Sequence, residues 1–135
     1  MSGVGIVHPE GWAPARGYAS GVIASGRILF VAGQIGWNPA TGEFESDDFV
    51  MQTAQALRNV ADVLSAGGAE PARVTRLTWY ITDREAYLAS AKEIGVAYRA
   101  VFGRHFPAMS VVVVAGLLEP RAKVEIEATA VMGEG

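Results

Sequence analysis

The strongest constraint on the fold is a strict alternation of apolar and polar residues near the C-terminus. Between Lys123 and Val131, the even positions from Val124 to Ala130 are apolar and the odd positions from Lys123 to Thr129 are polar. Successive side chains of a strand point to opposite faces, so this pattern predicts a β-strand with one buried face and one polar face. A sheet built on this strand therefore needs a covering layer on its apolar side.

Two segments have the periodicity of amphipathic helices and can supply that layer. Apolar residues recur in steps of three and four from Val50 to Leu64 and again from Tyr87 to Val101. Two helices of this kind can cover one face of a sheet. The second face is then either solvated or packed against a partner.

The predicted helix ends carry recognisable signals. Ser46 is a candidate N-cap for the first helix, and the Gly67-Gly68 pair is a candidate left-handed stop. The second helix follows Thr82-x-x-Glu85, which matches a capping box. Both helices are therefore expected to begin and end close to these residues.

The remaining periodic segments are predicted strands. The runs 17–24 and 28–34 flank a short polar loop centred on Gly26, which predicts a β-hairpin. A β-branched and aromatic run over 74–82 predicts a third strand, and no regular element is expected before Pro14. The expected order is ββαβαββ, an α+β fold.

A valine-rich run over 108–114 predicts a strand buried on both faces. Apolar residues also make up 50% of the chain and charged residues 19%. A domain of 135 residues has an unfavourable ratio of surface to volume. Some of the apolar surface is therefore expected to contact another subunit.

Length and composition limit the classes of protein. The 135 residues suit a single domain, 1–135. No apolar run approaches the ~20 residues of a membrane span, and residues 1–8 do not resemble a signal peptide, which predicts a cytoplasmic protein. The net charge of -3 disfavours nucleic-acid binding, which needs clustered basic residues.

The reactive side chains are few. The chain has no cysteine, and His8 and His105 stand outside any metal-binding motif, so no metal is expected. Sequence motifs of serine hydrolases and of nucleotide-binding loops do not occur. The acidic pair Glu125 and Glu127 stands out, because a carboxylate on a largely apolar strand has a raised pKa and can position water. The alternative is that both glutamates only keep a sheet edge soluble.

Two further residues have more than one interpretation. Gly95 interrupts the second helix at a cost of roughly 1 kcal/mol relative to alanine, which indicates either a close approach by another backbone or a ligand, or a tolerated glycine. Tyr18 is either an aromatic residue at the edge of the core or a hydroxyl donor to a ligand. The residues alone favour the core position for Tyr18.

Several short motifs in a fixed order resemble the Rid family, also called YjgF or endoribonuclease L-PSP. They are Gly17-Tyr18-Ala19-Ser20-Gly21, Val31-Ala32-Gly33-Gln34-Ile35, Asn38-Pro39-x-Thr41-Gly42, Gln52-x-x-x-Ala56-Leu57-x-Asn59-Val60, Thr82-Asp83, Phe106-Pro107-Ala108 and Val124-Glu125-Ile126-Glu127-Ala128. The resemblance implies a chorismate-mutase-like fold and a homotrimer with ligand clefts between subunits. It also implies hydrolytic deamination of reactive enamines or imines without a metal or organic cofactor.

The resemblance also assigns site residues. Tyr18, Gly33 and Glu125 match the family's site, and Glu125 corresponds to the glutamate that positions water. Met109 stands in place of the arginine that grips the substrate carboxylate. Gly95 stands where asparagine is common, and Val111 stands where cysteine is common. The cleft is therefore expected to be more apolar than that of the deaminases.

Three functions follow from these residues. The first is deamination of a small reactive imine or enamine other than 2-aminoacrylate, because Met109 offers no charge to a carboxylate. Arg16 is either a replacement cation or a solvated surface residue. The second is a non-catalytic trimer that binds a small molecule or a protein. The third is an endoribonuclease or translation inhibitor, which the negative charge disfavours.

Overall fold

The structure is a computed structural model that describes residues 5–133. Its elements are β1 (Gly5–Val7), β2 (Gly21–Ile23), β3 (Arg27–Ile35), α1 (Phe49–Ala66), β4 (Val74–Ile81), α2 (Arg84–Ala89), α3 (Ala91–Phe102), β5 (Ala108–Val113) and β6 (Val124–Met132). The fold is α+β, with helices against one face of a four-stranded sheet. The predicted fold class is confirmed.

The alternating strand β6 lies inside the main sheet. The strand order is β3-β6-β4-β5, in which β6 is antiparallel to both neighbours and β5 is parallel to β4. Val124, Ile126 and Ala130 are buried on the face that α1 covers, while Glu125 and Glu127 are only half-buried. The predicted orientation of this strand is therefore confirmed.

The N-cap of the first helix lies two residues later than predicted. The Asp48 carboxylate, and not the Ser46 hydroxyl, accepts a hydrogen bond from the amide of Met51 at 3.0 Å. Ser46 supports this cap, because its hydroxyl accepts from the Asp48 amide at 2.9 Å. The C-terminal stop is as expected, with Gly68 at a φ of 82°.

The segment predicted as a second helix forms two helices, because the helix is interrupted at Ser90, between α2 and α3. The expected capping box at Thr82 is also wrong. Asp83 is the N-cap of α2, and its carboxylate accepts from the Ala86 amide at 3.1 Å. The carboxylate of Asp83, one residue after Thr82, therefore makes the capping contact that the Thr82 hydroxyl was expected to make.

The predicted hairpin of the first two strand runs is wrong. Strand β2 pairs with β1, in a segment where no element was expected, and β3 pairs with β6. The turn residue Gly26 has a φ of 141°, and a Cβ on it would overlap the carbonyl oxygen of Met132. The turn is thus held against the end of β6, which directs β2 and β3 into different sheets.

Strand β5 is an edge strand and is not covered on both faces. Val111, Val112 and Val113 are 36%, 43% and 50% exposed. On the helix-free face of the sheet, Phe30 of β3 is 74% exposed. Within the single chain β5 is thus not covered on both faces, and the burial expected for it would require a partner; the sheet keeps a large apolar surface.

A buried glutamine ties the loops before α1 and before β6 together. The side chain of Gln52 is 1% exposed. Its Nε2 donates to the carbonyls of Ser46 at 3.0 Å and Arg121 at 3.1 Å, and its Oε1 accepts from the Lys123 amide at 2.9 Å. All three partners of Gln52 are backbone groups outside the strands. Their hydrogen bonding therefore depends on this side chain.

We expect Gln52→Leu to lower the free energy of unfolding by about 2 to 4 kcal/mol, because three hydrogen bonds are lost and buried backbone groups are left unsatisfied. Chemical denaturation measures the change. Gln34→Leu is the control, since the Gln34 side chain makes one local bond to the Ala32 carbonyl, and it is expected to cost less than about 1 kcal/mol. Equal costs for the two variants would contradict the role given to Gln52.

Candidate functional site

A bulge in β3 lies beside Glu125. The pairing of β3 with β6 shifts register between Val31 and Gln34, so Ala32 and Gly33 have no partner in that ladder. A Cβ on Gly33 would lie 2.7 Å from the carboxyl carbon and from Oε2 of Glu125. A glycine here therefore lets the carboxylate lie directly against the strand backbone.

The two carboxylates of β6 have different surroundings. Glu127 accepts a hydrogen bond from the Tyr80 hydroxyl at 2.7 Å, and this bond, together with desolvation, raises the pKa of Tyr80. Among the described residues, no hydrogen bond or ion pair engages the carboxylate of Glu125. Glu127 is thus part of a fixed pair, whereas Glu125 is available to a water molecule or a ligand.

Glu127 lines a shallow depression of about 360 Å³ on the helix-free face of the sheet. Its other walls come from the three long antiparallel strands and are Phe30, Val31, Ala32, Arg76, Thr78, Ala128 and Thr129. The face therefore combines an exposed aromatic ring with charged and hydroxyl groups.

A second cavity lies on the opposite side of the sheet, between its β4–β5 edge and helices α2 and α3. It measures about 320 Å³ and is lined by Gly17, Trp79, Tyr87, Ala91, Ile94, Gly95, Tyr98, Arg99, Phe106 and Met109. Met109 and Gly95, which the sequence assigns to one cleft, do line one cavity. Arg99 and Trp79 also line it, and the sequence analysis did not identify them.

The walls of this second cavity are mostly aromatic. The rings of Tyr98 and Phe106 stack at a centroid distance of 5.5 Å, and the ring of Trp79 meets that of Tyr87 edge-on at 6.4 Å. The Tyr98 hydroxyl donates to the His105 carbonyl at 2.6 Å, and burial raises the pKa of both Tyr98 and Tyr87. The phenols therefore stay neutral at physiological pH, and the cavity is apolar.

Gly95 has a close neighbour on its own helix. A Cβ at this position would lie 3.0 Å from Nη1 of Arg99. The guanidinium of Arg99 therefore lies over the glycine, one helical turn away along α3. The nearest atoms thus belong to the flexible end of a side chain on the same helix and not to another backbone or a ligand, so the structure does not decide between the two interpretations of Gly95.

Tyr18 is not a core residue, since it is 45% exposed. The next residue, Ala19, bridges to the start of β5 and donates its amide to the Pro107 carbonyl at 2.9 Å. Tyr18 and Arg104 line a depression of about 310 Å³ next to the aromatic cavity, and Phe106 separates the two. Arg16 is exposed and lines neither of these two cavities.

The chain does not bring all the predicted site residues together. Val111 pairs with Trp79 and lies two residues beyond Met109 on the edge strand. Glu125 lies on β6, which β4 separates from β5: Tyr80 of β4 pairs with Glu125 on one side and with Val112 on the other. Gly33 and Glu125 therefore form one group, and the residues of the aromatic cavity form another.

The described residues offer no metal site, since no group of three or more His, Asp or Glu side chains is arranged to hold an ion within 5–133. The two histidines have separate partners: His8 contacts Ser20, and Nε2 of His105 lies 2.6 Å from the Val74 carbonyl oxygen. No helix in this part of the chain is long and apolar enough to cross a bilayer.

The architecture defines a class of small α+β proteins in which two helical segments cover one face of a sheet and the other face stays open. The family model described as Endoribonuclease L-PSP matches residues 10–132. The chain therefore belongs to the Rid family, also known as YjgF or endoribonuclease L-PSP. The predicted family is confirmed.

Named relatives agree with this assignment. The chain is 34% identical over 127 residues to Reactive Intermediate Deaminase A, chloroplastic, of Arabidopsis thaliana, covering 94% of this chain and 65% of the relative. It is 33% identical to the 2-iminobutanoate/2-iminopropanoate deaminase of Mus musculus, covering 90% and 87%. A Rid-family protein of unknown function from Yersinia pestis superposes with a TM-score of 0.86 at 35% identity, covering 96% and 99%.

Gly33→Ala tests the contact between the bulge and the glutamate. We expect the Glu125 carboxyl group to move by about 1 Å, because ordinary contacts between carbon atoms lie at about 3.5 Å or beyond. A crystal structure of the variant measures the shift. Gly116→Ala is the control, since a Cβ there meets nothing within 4 Å. An unmoved carboxylate in the Gly33→Ala structure would contradict the proposed contact.

Proposed function

We propose that this protein hydrolyses a small reactive imine or enamine without a cofactor, and that Glu125 positions the attacking water. The observation that carries the proposal is the unengaged carboxylate of Glu125 beside the unpaired backbone of Gly33. In this reaction water adds to the imine carbon, and the nitrogen leaves as ammonia when the carbonyl forms. An enamine first takes a proton on carbon and becomes the imine.

The surroundings of Glu125 suit this role. A carboxylate accepts a hydrogen bond from water and takes up its proton as the oxygen attacks. The bulge residues Ala32 and Gly33 have amides outside the β3–β6 ladder, and such amides are donors that can bind a substrate. The names of the relatives, which are deaminases of imines and reactive intermediates, support the reaction type.

We further propose a homotrimer whose ligand clefts lie between subunits. The separation of Gly33 and Glu125 from the aromatic cavity supports this assembly. In a trimer, Gly33 and Glu125 of one subunit can lie beside the aromatic cavity of a neighbouring subunit. The exposed valines of β5 and the exposed ring of Phe30 are the kind of apolar surface that an obligate interface covers.

The trimer is tested by light scattering at micromolar concentration, where we expect three times the mass of the chain. Val112→Glu is expected to dissociate the assembly, because it places a charge on the apolar edge. Leu118→Glu is the control, since Leu118 is 98% exposed in a loop, and it should remain a trimer. A monomeric wild-type protein would contradict the assembly.

The substrate of the proposed deaminase is expected to differ from 2-aminoacrylate. The side chain of Met109 is partly buried against the core and carries no charge. A thioether cannot make the bidentate, charge-assisted contact that a guanidinium makes with a carboxylate. A very small substrate whose carboxylate must sit at this position therefore binds poorly.

Glu125→Gln tests the chemical step. We expect the trimer and the melting temperature to be preserved and hydrolysis of imines to fall by ~10² to 10⁴, the usual contribution of general base catalysis. The assay follows ammonia release from imines generated in situ by an amino-acid oxidase, with 2-aminoacrylate among the substrates. Glu127→Gln is a comparison that removes a carboxylate already bonded to Tyr80. Full activity in Glu125→Gln would refute the role of Glu125.

The second candidate function is binding without catalysis. The apolar cavity lined by Met109 and Gly95 favours it, because such a cavity holds a ligand whether or not water attacks it. A wild-type protein that binds small molecules but releases no ammonia from any imine would support this function. The endoribonuclease function has less support, because the net charge of -3 opposes phosphate binding.

A further inference from the structure

We propose that Arg99 is the cation of the aromatic cavity, and that the cavity binds a small carboxylate with an aromatic or branched apolar body. Nothing in the family's usual site assigns a role to this position. The ligand class extends the proposed function by naming a substrate type. The binding itself does not require that the proposed reaction occurs.

The first argument is the position of the guanidinium. Arg99 lines the cavity. A Cβ on Gly95 would lie 3.0 Å from Nη1 of Arg99 and 3.7 Å from its Cζ and Nη2. The side chain therefore lies back along α3 beside the cavity, while Arg99 remains exposed to solvent.

The second argument is charge. A guanidinium stays protonated at any physiological pH. Within residues 5–133, no carboxylate lies within 4 Å of the guanidinium of Arg99, whereas Arg84 and Arg121 form ion pairs with Glu85 and Asp47. A permanent charge at the mouth of an apolar cavity is complementary to an anionic ligand, and a carboxylate matches its planar fork.

The third argument is the chemistry of the walls. Four aromatic rings, together with the side chains of Ile94 and Met109, line the cavity, and these are Trp79, Tyr87, Tyr98 and Phe106. The indole Nε1 of Trp79 is buried and has no hydrogen-bond partner among the described residues. This N–H has less than 1 Å² of accessible surface, so a ligand in the open cavity meets only the apolar parts of the Trp79 ring.

The fourth argument is size. The cavity measures about 320 Å³ and is open to solvent on one side, so a small organic acid can enter it. A carboxylate attached to one phenyl-sized group fits this volume. A two- or three-carbon acid leaves most of the apolar wall in contact with water.

Two departures from the family pattern then have one cause. Met109 removes a cation from the edge strand, and Gly95 leaves space beside the guanidinium of Arg99, which a Cβ would approach to 3.0 Å. The cation has moved from β5 to α3, across the cavity. A ligand whose carboxylate meets Arg99 must have a longer apolar body to lie along the cavity wall toward Met109.

Isothermal titration of the wild-type assembly with three probes tests the ligand class. The probes are 3-phenylpropanoate, its neutral amide 3-phenylpropanamide, and propanoate. We expect 3-phenylpropanoate to bind roughly tenfold to a hundredfold more tightly than the amide, as for loss of a charged hydrogen bond, and also more tightly than propanoate. Equal affinity for the acid and its amide, or no binding of 3-phenylpropanoate at millimolar concentration, would overturn the proposal.

Two variants locate the cation. Arg99→Gln is expected to weaken binding of 3-phenylpropanoate by the same factor and to leave binding of the amide unchanged. Arg58→Gln is the matched control, because Arg58 is exposed on α1 and does not line the cavity, and it should bind both probes as wild type does. Unchanged affinity in Arg99→Gln would overturn the proposal.

Gly95→Ala separates binding from folding. The added Cβ shifts the guanidinium by a few tenths of an ångström. Affinity for 3-phenylpropanoate should therefore fall by less than in Arg99→Gln, and the melting temperature should not fall, because alanine is the better helix former. Glu125→Gln distinguishes this site from the proposed reaction. If 3-phenylpropanoate binds to wild type and to Glu125→Gln alike and neither protein hydrolyses imines, the ligand site stands and the deaminase function fails.

Discussion

The position of β6 inside the sheet is the constraint on which the rest of the structure depends. This strand pairs with β3 on one side and with β4 on the other, and it has a strict period of two. A slip of one residue would turn Glu125 and Glu127 into the core and the apolar residues out of it. The register that forms the hydrophobic core thus also places the carboxylates on the helix-free face.

The same strand shows how neighbouring residues acquire different chemistry. Glu127 has a phenol hydrogen-bonded to it, so its geometry is fixed by Tyr80 of the adjacent strand. Glu125 instead lies against a bulge, where a glycine removes the side chain that would otherwise fill the space. Two residues with the same chemical group are thereby divided into a structural carboxylate and an accessible one.

Local sequence patterns correctly predicted the elements in which buried side chains recur with the period of a strand or of a helix. The alternation in β6 and the helical periodicity of α1 were sufficient for this, because the polarity of each residue indicates whether its side chain is buried. The β2–β3 hairpin was predicted wrongly, because the pairing of β2 depends on a distant segment, Gly5–Val7. The helix break at Ser90 was missed because apolar periodicity continues through it.

The site was predicted in the same uneven way. The resemblance to the family identified Gly33, Glu125, Met109 and Gly95, which the structure places in two groups. Arg99 was missed because a cation near the end of a helix is usually explained by the helix dipole. The position of Arg99 over Gly95 depends on its side-chain conformation. The spacing of the two residues in the sequence does not show that both line the same cavity.

The exposed edge of β5 also bears on how the chain behaves before it meets a partner. Beyond the bridge between Ala19 and Ala108, the sequence Met109–Val113 presents its outer backbone groups with no charged residue and no proline to block another strand. Such an edge is a template for intermolecular β-pairing. In the proposed trimer this strand is covered, so newly made chains would face a competition between that assembly and aggregation.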